Sequence, residues 1–284
     1  MAKIKTSFSG HEKFECKIDW ITKGLDAFEK NKNIFSLSNV EIGIETLGLG
    51  INMIKSLNHW MQVLGLINKT ELTELGISIL KHDPYLENSD TLWLLHWNLV
   101  KNKERATLYN LFFNVIYPHK FTREYLLSQI VLWLDNNNVN LSLTTLKSDI
   151  DVLIRMYKSN NSEDVSMNLL SELKIITEQS NGVYALNINT ATEISDEAFL
   201  YILVDYINDL CGTNAESISM DDIQRGKPSL QKSLCLGENV LYNKIHQLGK
   251  LTNEKLAYSE ASGIRQIYIN GSIDKSELLS RIYQ

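Results

Sequence analysis

Gly237-Glu-Asn-Val-Leu-Tyr-Asn-Lys-Ile-His-Gln-Leu248, followed by Lys255-Leu-Ala-Tyr-Ser259, Glu260-Ala-Ser-Gly263 and Arg265-Gln-Ile-Tyr-Ile269, decides the fold. The spacing predicts a helix over Glu238–Leu248 and then a hairpin whose arms are Lys255–Ser259 and Arg265–Ile269. Another helical stretch, Met220–Leu236, precedes it across Gly237. Helix, turn, second helix and small β-ribbon are the grammar of a winged helix-turn-helix, whose second helix enters a DNA major groove.

The same order recurs twice upstream, in form but not in letters. Ser38–Leu47 leads through Gly48-Leu-Gly50 to Ile51–Leu64 and a ribbon over Gly65–Leu72. Tyr125–Leu134 leads through Leu141-Ser142 to Leu143–Tyr157, then to a hairpin of Lys174–Glu178 and Val183–Asn187 around an Asn-Gly turn. Helical pairs also arise by chance in an α-rich chain, so these units are read as DNA-contacting or as architectural and protein-binding. Other apolar stripes are helical too: Trp20, Ile21, Gly24, Leu25 and Phe28, and Leu92 to Leu99 with Ser89 or Asp90 as cap. Thr122 caps the stripe from Tyr125 to Leu134. Polar breaks at Asn136–Asn140 and Asn189–Glu193 divide the chain into 1–135 (winged helix plus helical domain), 141–190 (middle winged-helix-like unit) and 191–284 (C-terminal winged helix). The expected class is mainly α, with tandem winged helix-turn-helix units and short hairpin wings.

The composition fits that reading. The 284 residues are 44% hydrophobic and 22% charged, a globular balance. Three Pro and 14 Gly are too few for a turn-rich β architecture. Cys16, Cys211 and Cys235 form no CxxC pair, and no run approaches the roughly 18 apolar residues of a membrane span, so a cytoplasmic protein is expected. The net charge of −6 hides an asymmetry. Leu186–Asp222 holds eight acids and no Lys or Arg, whereas Ile223–Lys250 holds five bases against Glu238 alone. The two stretches are either local fields or solvated faces.

Chemical motifs are sparse. His11-Glu-Lys-Phe-Glu15 starts like a zincin but lacks the second His, and the six His share no ligand spacing with the Cys, so neither metal nor cofactor is expected. Gly48-Leu-Gly50 lacks the Lys-Ser/Thr of a P-loop. Glu172-Leu-Lys174, with Asp149, Asp151 and Asp164 upstream, matches a nuclease pattern only at chance level. Trp93, Trp97, Tyr109, Phe112 and Phe113 suit a packed core better than a base-stacking platform.

Ser7-Phe-Ser-Gly-His-Glu-Lys-Phe14 with Trp20-Ile-Thr-Lys-Gly24, Leu47-Gly-Leu-Gly-Ile-Asn-Met-Ile54 with His59-Trp60, Leu72-Thr-Glu-Leu-Gly76, Asp83-Pro-Tyr-Leu-Glu87, Thr91-Leu-Trp-Leu-Leu-His-Trp97 and Phe121-Thr-Arg-Glu124 together resemble the DUF4007 family over the first half of the chain. The resemblance implies a bacterial protein of loci linked to DNA phosphorothioation and phage defence, beside a sulfur-transfer protein of the phosphosulfate-reductase type. It carries over no catalytic residue. Family members often have Lys after the second Gly, where this chain has Ile51.

The expected function is a noncatalytic subunit binding double-stranded DNA and working with a sulfur-transfer or ATPase partner. The alternatives are a dimeric repressor of its own locus and a protein-binding adaptor. The expected DNA contacts are Asn52, Lys55, Ser56 and His59 in the first unit, and Arg225, Lys227, Lys232, Asn243, Lys244 and His246 in the last. Phe8, Gly10, His11, Glu12, Phe14 and Trp20 form the signature, with His11 and Glu12 expected to brace the fold through hydrogen bonds.

Overall fold

The computed structural model describes residues 5–158, 167–188 and 190–284. Among the described residues the protein is mainly helical, with two small three-stranded sheets, and the chain divides into two compact units, Met1–Asn187 and Ile188–Gln284. Asp164 and Asn189 lie outside the described residues.

In the first unit, α1 (Ile18–Lys30) buries the stripe Trp20, Ile21, Gly24, Leu25 and Phe28. Its wet side carries the i,i+4 pairs Asp19–Lys23 and Asp26–Lys30, each worth a few tenths of a kcal/mol. Helix α2 (Val40–Leu47) turns into α3 (Ile51–Val63) through Gly48, whose φ of 66° is costly for any residue with a Cβ. The expected ribbon over Gly65–Leu72 is reduced to one bridge, Ile67 to Leu72. Asn68 Oδ1 closes the turn on the amides of Thr70 and Glu71, and Thr73 already caps α4 (Glu74–His82). That leaves no length for strands.

Helix α5 (Ser89–Lys101) is capped by Asn88, one residue earlier than expected, because the Asn88 side chain accepts the Asp90 amide. Helix α6 (Thr107–Leu111) runs into a π-turn, Phe112–Ile116. Trp93, Trp97, Phe112 and Phe113 are buried together with Tyr157, and His96 Nδ1 meets the Tyr157 hydroxyl at 2.8 Å. These aromatics form the core and offer no surface for stacking bases.

Strand β1 (Lys120–Phe121) precedes α7 (Arg123–Asn136), capped by Thr122, and α8 (Leu143–Tyr157), capped by Ser142. Strands β2 (Ile176–Ser180) and β3 (Val183–Leu186) follow, giving an antiparallel sheet of order β1-β3-β2 with Phe121 opposite Tyr184. The hairpin starts two residues later than the sequence suggests, because Lys174 at φ 52° ends a short 3-10 turn. The segment 141–190 is no separate body up to Asn187: it belongs to the first compact unit.

The second unit opens with α9 (Asp196–Cys211), capped by Ser195, and continues through β4 (Ser217–Ser219) into α10 (Met220–Arg225). The expected single helix Met220–Leu236 is two pieces, α10 and α11 (Leu230–Ser233). Pro228 has no amide hydrogen to give and disfavours helix at Lys227. Helix α12 (Glu238–Thr252) leads into the hairpin β5 (Leu256–Ala261) and β6 (Ile264–Ile269), and α13 (Lys275–Ile282) closes on α9. The sheet order is β4-β6-β5, with Ile218 opposite Ile267. This repeats the strand order of the first sheet, a short outer strand, intervening helices (α7 and α8 there, α10 to α12 here), then a hairpin whose second arm is central.

Candidate functional site

The N-terminal signature folds as a tight turn, with positive φ at Ser9, Glu12 and Lys13. His11 is buried, and its Nδ1 accepts the Lys13 amide at 3.2 Å. The ring proton therefore sits on Nε2, 3.3 Å from Asp149 Oδ1. Asp149, on α8, is 1% exposed and also accepts the Ser9 amide at 2.9 Å and the Ser9 hydroxyl at 3.0 Å. His11 stacks on Trp60, at 5.7 Å between centroids, and Trp60 Nε1 donates to the Phe14 carbonyl at 3.0 Å. The signature is thus strapped to α3 and α8.

His59 leans on the same turn. A Cβ at Gly10 would lie 2.4 Å from His59 Cε1, so glycine is required by close approach. Burial above all, then His11 and Arg105, pushes the His59 pKa down to about 4, leaving a neutral imidazole at pH 7. A cavity of about 10 Å³ lies here, walled by His59, Tyr109, Asp149 and the turn, with Arg105 beside it. The Tyr109 hydroxyl is buried without a hydrogen-bond partner, and burial raises its pKa well above the ordinary value.

His11 braces as expected, but Glu12 does not: its side chain is exposed. The bracing acid is Glu15, which accepts Arg155 Nε at 2.8 Å and lies 3.2 Å from Lys17 Nζ. Burial raises its pKa, but the Arg155 hydrogen bond and charge outweigh this and hold it below the ordinary value. Phe8 is half-buried against the cavity, Phe14 packs on Trp20 at 6.2 Å, and Trp20 is buried.

On α3, Asn52 and Lys55 are exposed, whereas Ser56 is fully buried with an unpartnered hydroxyl, and His59 belongs to the cavity wall. Ser56 therefore cannot reach a nucleic acid. Arg105 carries no signal in the sequence, whereas Ser9 stands in the signature, Tyr109 reads as a core aromatic and Asp149 as a chance-level nuclease carboxylate. One signal for Asp149 exists: it is a lone carboxylate inside the apolar stripe Leu146, Ile150, Leu153, where burial demands a partner.

In the second unit, α12 buries Leu241, Ile245 and Leu248 and presents Asn239, Asn243, His246, Gln247 and Lys250 to solvent. Tyr242, His246 and Tyr258 form a ring cluster at 4.9 to 6.2 Å, and Arg265 donates to the Tyr242 hydroxyl. Helix and hairpin are thereby held together. Arg225, at the end of α10, and Lys227, on the α10–α11 connection, are exposed, and Lys232 is half-buried on α11. Lys244, expected at a phosphate, turns inward: Nζ donates to the Ile194 carbonyl at 2.7 Å and to Asp196 at 2.9 Å. Arg281–Glu197, Lys275–Asp205 and Arg265–Asp221 are also paired. Much of the acidic stretch therefore neutralises bases of its own unit.

Among the described residues no group of three or more His, Cys, Asp or Glu is placed to hold a metal ion. Glu172 and Lys174 are exposed, Asp149 is used as above, and Asp151 pairs with Arg123 at 2.6 Å. Cys16 and Cys235 are buried and Cys211 is exposed. No helix among the described residues is long and apolar enough to cross a membrane.

The chain belongs to the DUF4007 family, described as a protein of unknown function, which matches residues 8–283. Its fold is similar to that of the magnesium ion-bound SspB crystal structure, with a TM-score of 0.82 and 20% identity over 97% of this chain and 86% of that one. A second SspB crystal structure is similar at 0.79 and 19% identity, with the same coverage. No curated protein matches the chain.

Proposed function

We propose that the protein is a noncatalytic, cytoplasmic DNA-binding subunit of a bacterial DNA-modification or phage-defence system, built on winged helix-turn-helix units. The observation that carries this is the exposed face of α12, where Asn239, Asn243, His246 and Gln247 stand together behind a β5–β6 hairpin. A merely solvated helix is expected to carry ion pairs, as α1 does; this face carries amides, the groups that pair with base edges. The order α9, β4, α10–α11, α12, β5, β6 is that of a winged helix, with α12 as the recognition helix. Arg225 and Lys227 then meet backbone phosphates beside it. The middle unit has the same order, but its α8 is tied to the N-terminal segment through buried Asp149 and surface Arg155. DNA contact therefore falls chiefly to the second unit, with Asn52 and Lys55 of α3 as a second surface. The phosphorothioation-type locus and a sulfur-transfer or ATPase partner rest on the family resemblance.

The internal pairing of Lys244, Arg265, Lys275 and Arg281 favours a second reading, an assembly adaptor without DNA contact. Fluorescence anisotropy with labelled duplex DNA across a salt series separates the two. The DNA-binding reading requires an affinity that falls with salt; no binding at low salt leaves the adaptor. A single short palindromic footprint would instead identify a repressor.

A further inference from the structure

Strand β6 runs through the middle of the second sheet, and successive side chains point to opposite faces. Ile267 is buried with Ile218 and Leu256 on the face packed against α10 and α12. The opposite face carries Gln266, half-buried, and Tyr268, 42% exposed. Tyr268 stands between Ser217 of β4 and Ala257 of β5, and Gln266 between Ser219 and Ser259. Neighbours this small cannot cover a phenol ring. Among the described residues, the Tyr268 hydroxyl, the Gln266 amide and the Ser217 and Ser259 hydroxyls make no hydrogen bond.

The same alternation sorts the charges. Lys255 precedes β5 on the Tyr268 face, and its carbonyl accepts the Asn270 amide, which sets it one step beyond Tyr268. It is exposed and has no ion pair among the described residues. Its stem lies against Gly271, where a Cβ would come 3.3 Å from Lys255 Cγ. Glu216 and Glu260 alternate to the other face, Glu254 lies against Gly249 of α12, and Asp222 reaches only the β4 margin, through Ser219. In a chain of net charge −6, this face has a free base and no acid of its own. An aromatic ring, a carboxamide and an ammonium group match a base plane, a base edge and a phosphate. Bases in a duplex are stacked on one another, so a ring on a flat sheet meets a base plane only in a single strand. We propose that this outer face of the second sheet binds single-stranded nucleic acid: a base stacks on Tyr268, the Gln266 amide meets its edge, and Lys255 meets a phosphate. The face is opposite α10 and α12, so the proposal does not rest on α12 as a recognition helix.

Fluorescence anisotropy on the full chain tests this with labelled oligothymidylate, an abasic strand of the same length and a duplex, each across a salt series. The expected result is binding of oligothymidylate and weaker binding of the abasic strand. Tyr268→Ala weakens single-strand binding about tenfold and leaves duplex binding unchanged, whereas Tyr268→Phe keeps both. Lys255→Gln flattens the single-strand salt slope by about 0.7. Photo-cross-linking of an iodouracil-containing strand, with the attached residue read by mass spectrometry, needs no variant and should label Tyr268. Duplex binding without single-strand binding overturns the proposal and leaves the α12 reading standing. It is also overturned if the abasic strand binds equally well, if Tyr268→Ala binds single strands like the wild type, or if the cross-link falls outside this face.

Discussion

Asp149 Oδ1 lies 3.3 Å from His11 Nε2, both residues are buried, and the pair joins the N-terminal turn to a helix in the middle of the chain. The His11 tautomer is fixed by the Lys13 amide on its other nitrogen. Replacing His11 by Ala leaves Asp149 with one donor fewer and removes the ring stacked on Trp60. The expected cost is about 2–4 kcal/mol of unfolding free energy, read from urea denaturation. A loss below about 0.5 kcal/mol, the scale of a surface substitution, would show that the pair does not brace the fold.

His59 predicts a pH dependence. Its folded pKa of about 4 is below the roughly 6.5 of an unfolded His. Between those values the unfolded chain holds a proton that the folded one lacks, so stability rises with pH through the window and falls as pH drops. The contribution is on the order of 3 kcal/mol across the whole window. Urea midpoints of wild type and His59→Gln from pH 4.5 to 7.5 isolate it: the wild-type curve should be the steeper, and parallel curves would contradict the assignment.

Gly10→Ala drives a methyl group into the His59 ring, 2.4 Å from Cε1. Overpacking of this kind costs about 1–3 kcal/mol. His59→Ala in the same chain should restore most of the loss, and the double-mutant cycle measures that coupling. Additive losses would mean that the two residues do not meet.

Two groups of lysines and arginines should separate cleanly. Arg225→Ala, Lys227→Ala and Lys250→Ala together remove exposed bases near the α12 face and should flatten the salt slope of DNA binding by up to about 3 units. Lys244→Ala removes an internal pair with Asp196 instead. It should lower the melting temperature and leave the slope unchanged; a flattened slope for Lys244→Ala would place that side chain on DNA.

The sequence foretold a good deal of the fold, because helical stripes and turn residues are local signals. The α1 stripe, the cap Thr122 and both hairpins are readable in this way. The reading failed where a side chain overrode the pattern. Asn68 and Thr73 consumed the first ribbon, and Pro228 broke the helix after Arg225. The cavity was half legible. His11 and Gly10 stand in a recognisable motif, but Asp149, Arg105 and Tyr109 arrive from distant segments, and proximity across such distances leaves no periodic trace. Lys244 was misplaced because its charge is visible in sequence and its partner on another helix is not.

The signature turn also constrains the order in which the chain can mature. Cys16 and Ile18 form backbone hydrogen bonds with Leu169 and Met167, and Ser9 and His11 wait for Asp149. During synthesis, Ser9 and His11 meet Asp149, and Cys16 and Ile18 meet their backbone partners, only after α8 and the segment beyond it have been made. Domains generally complete folding as units during synthesis, and here the unit closes on its own beginning. A fragment ending at the polar break Asn136–Asn140 therefore lacks the groups that satisfy Ser9 and His11, and is expected to be protease-sensitive and prone to association. Any dissection of the protein for expression should cut after Asn187, where the first compact unit ends.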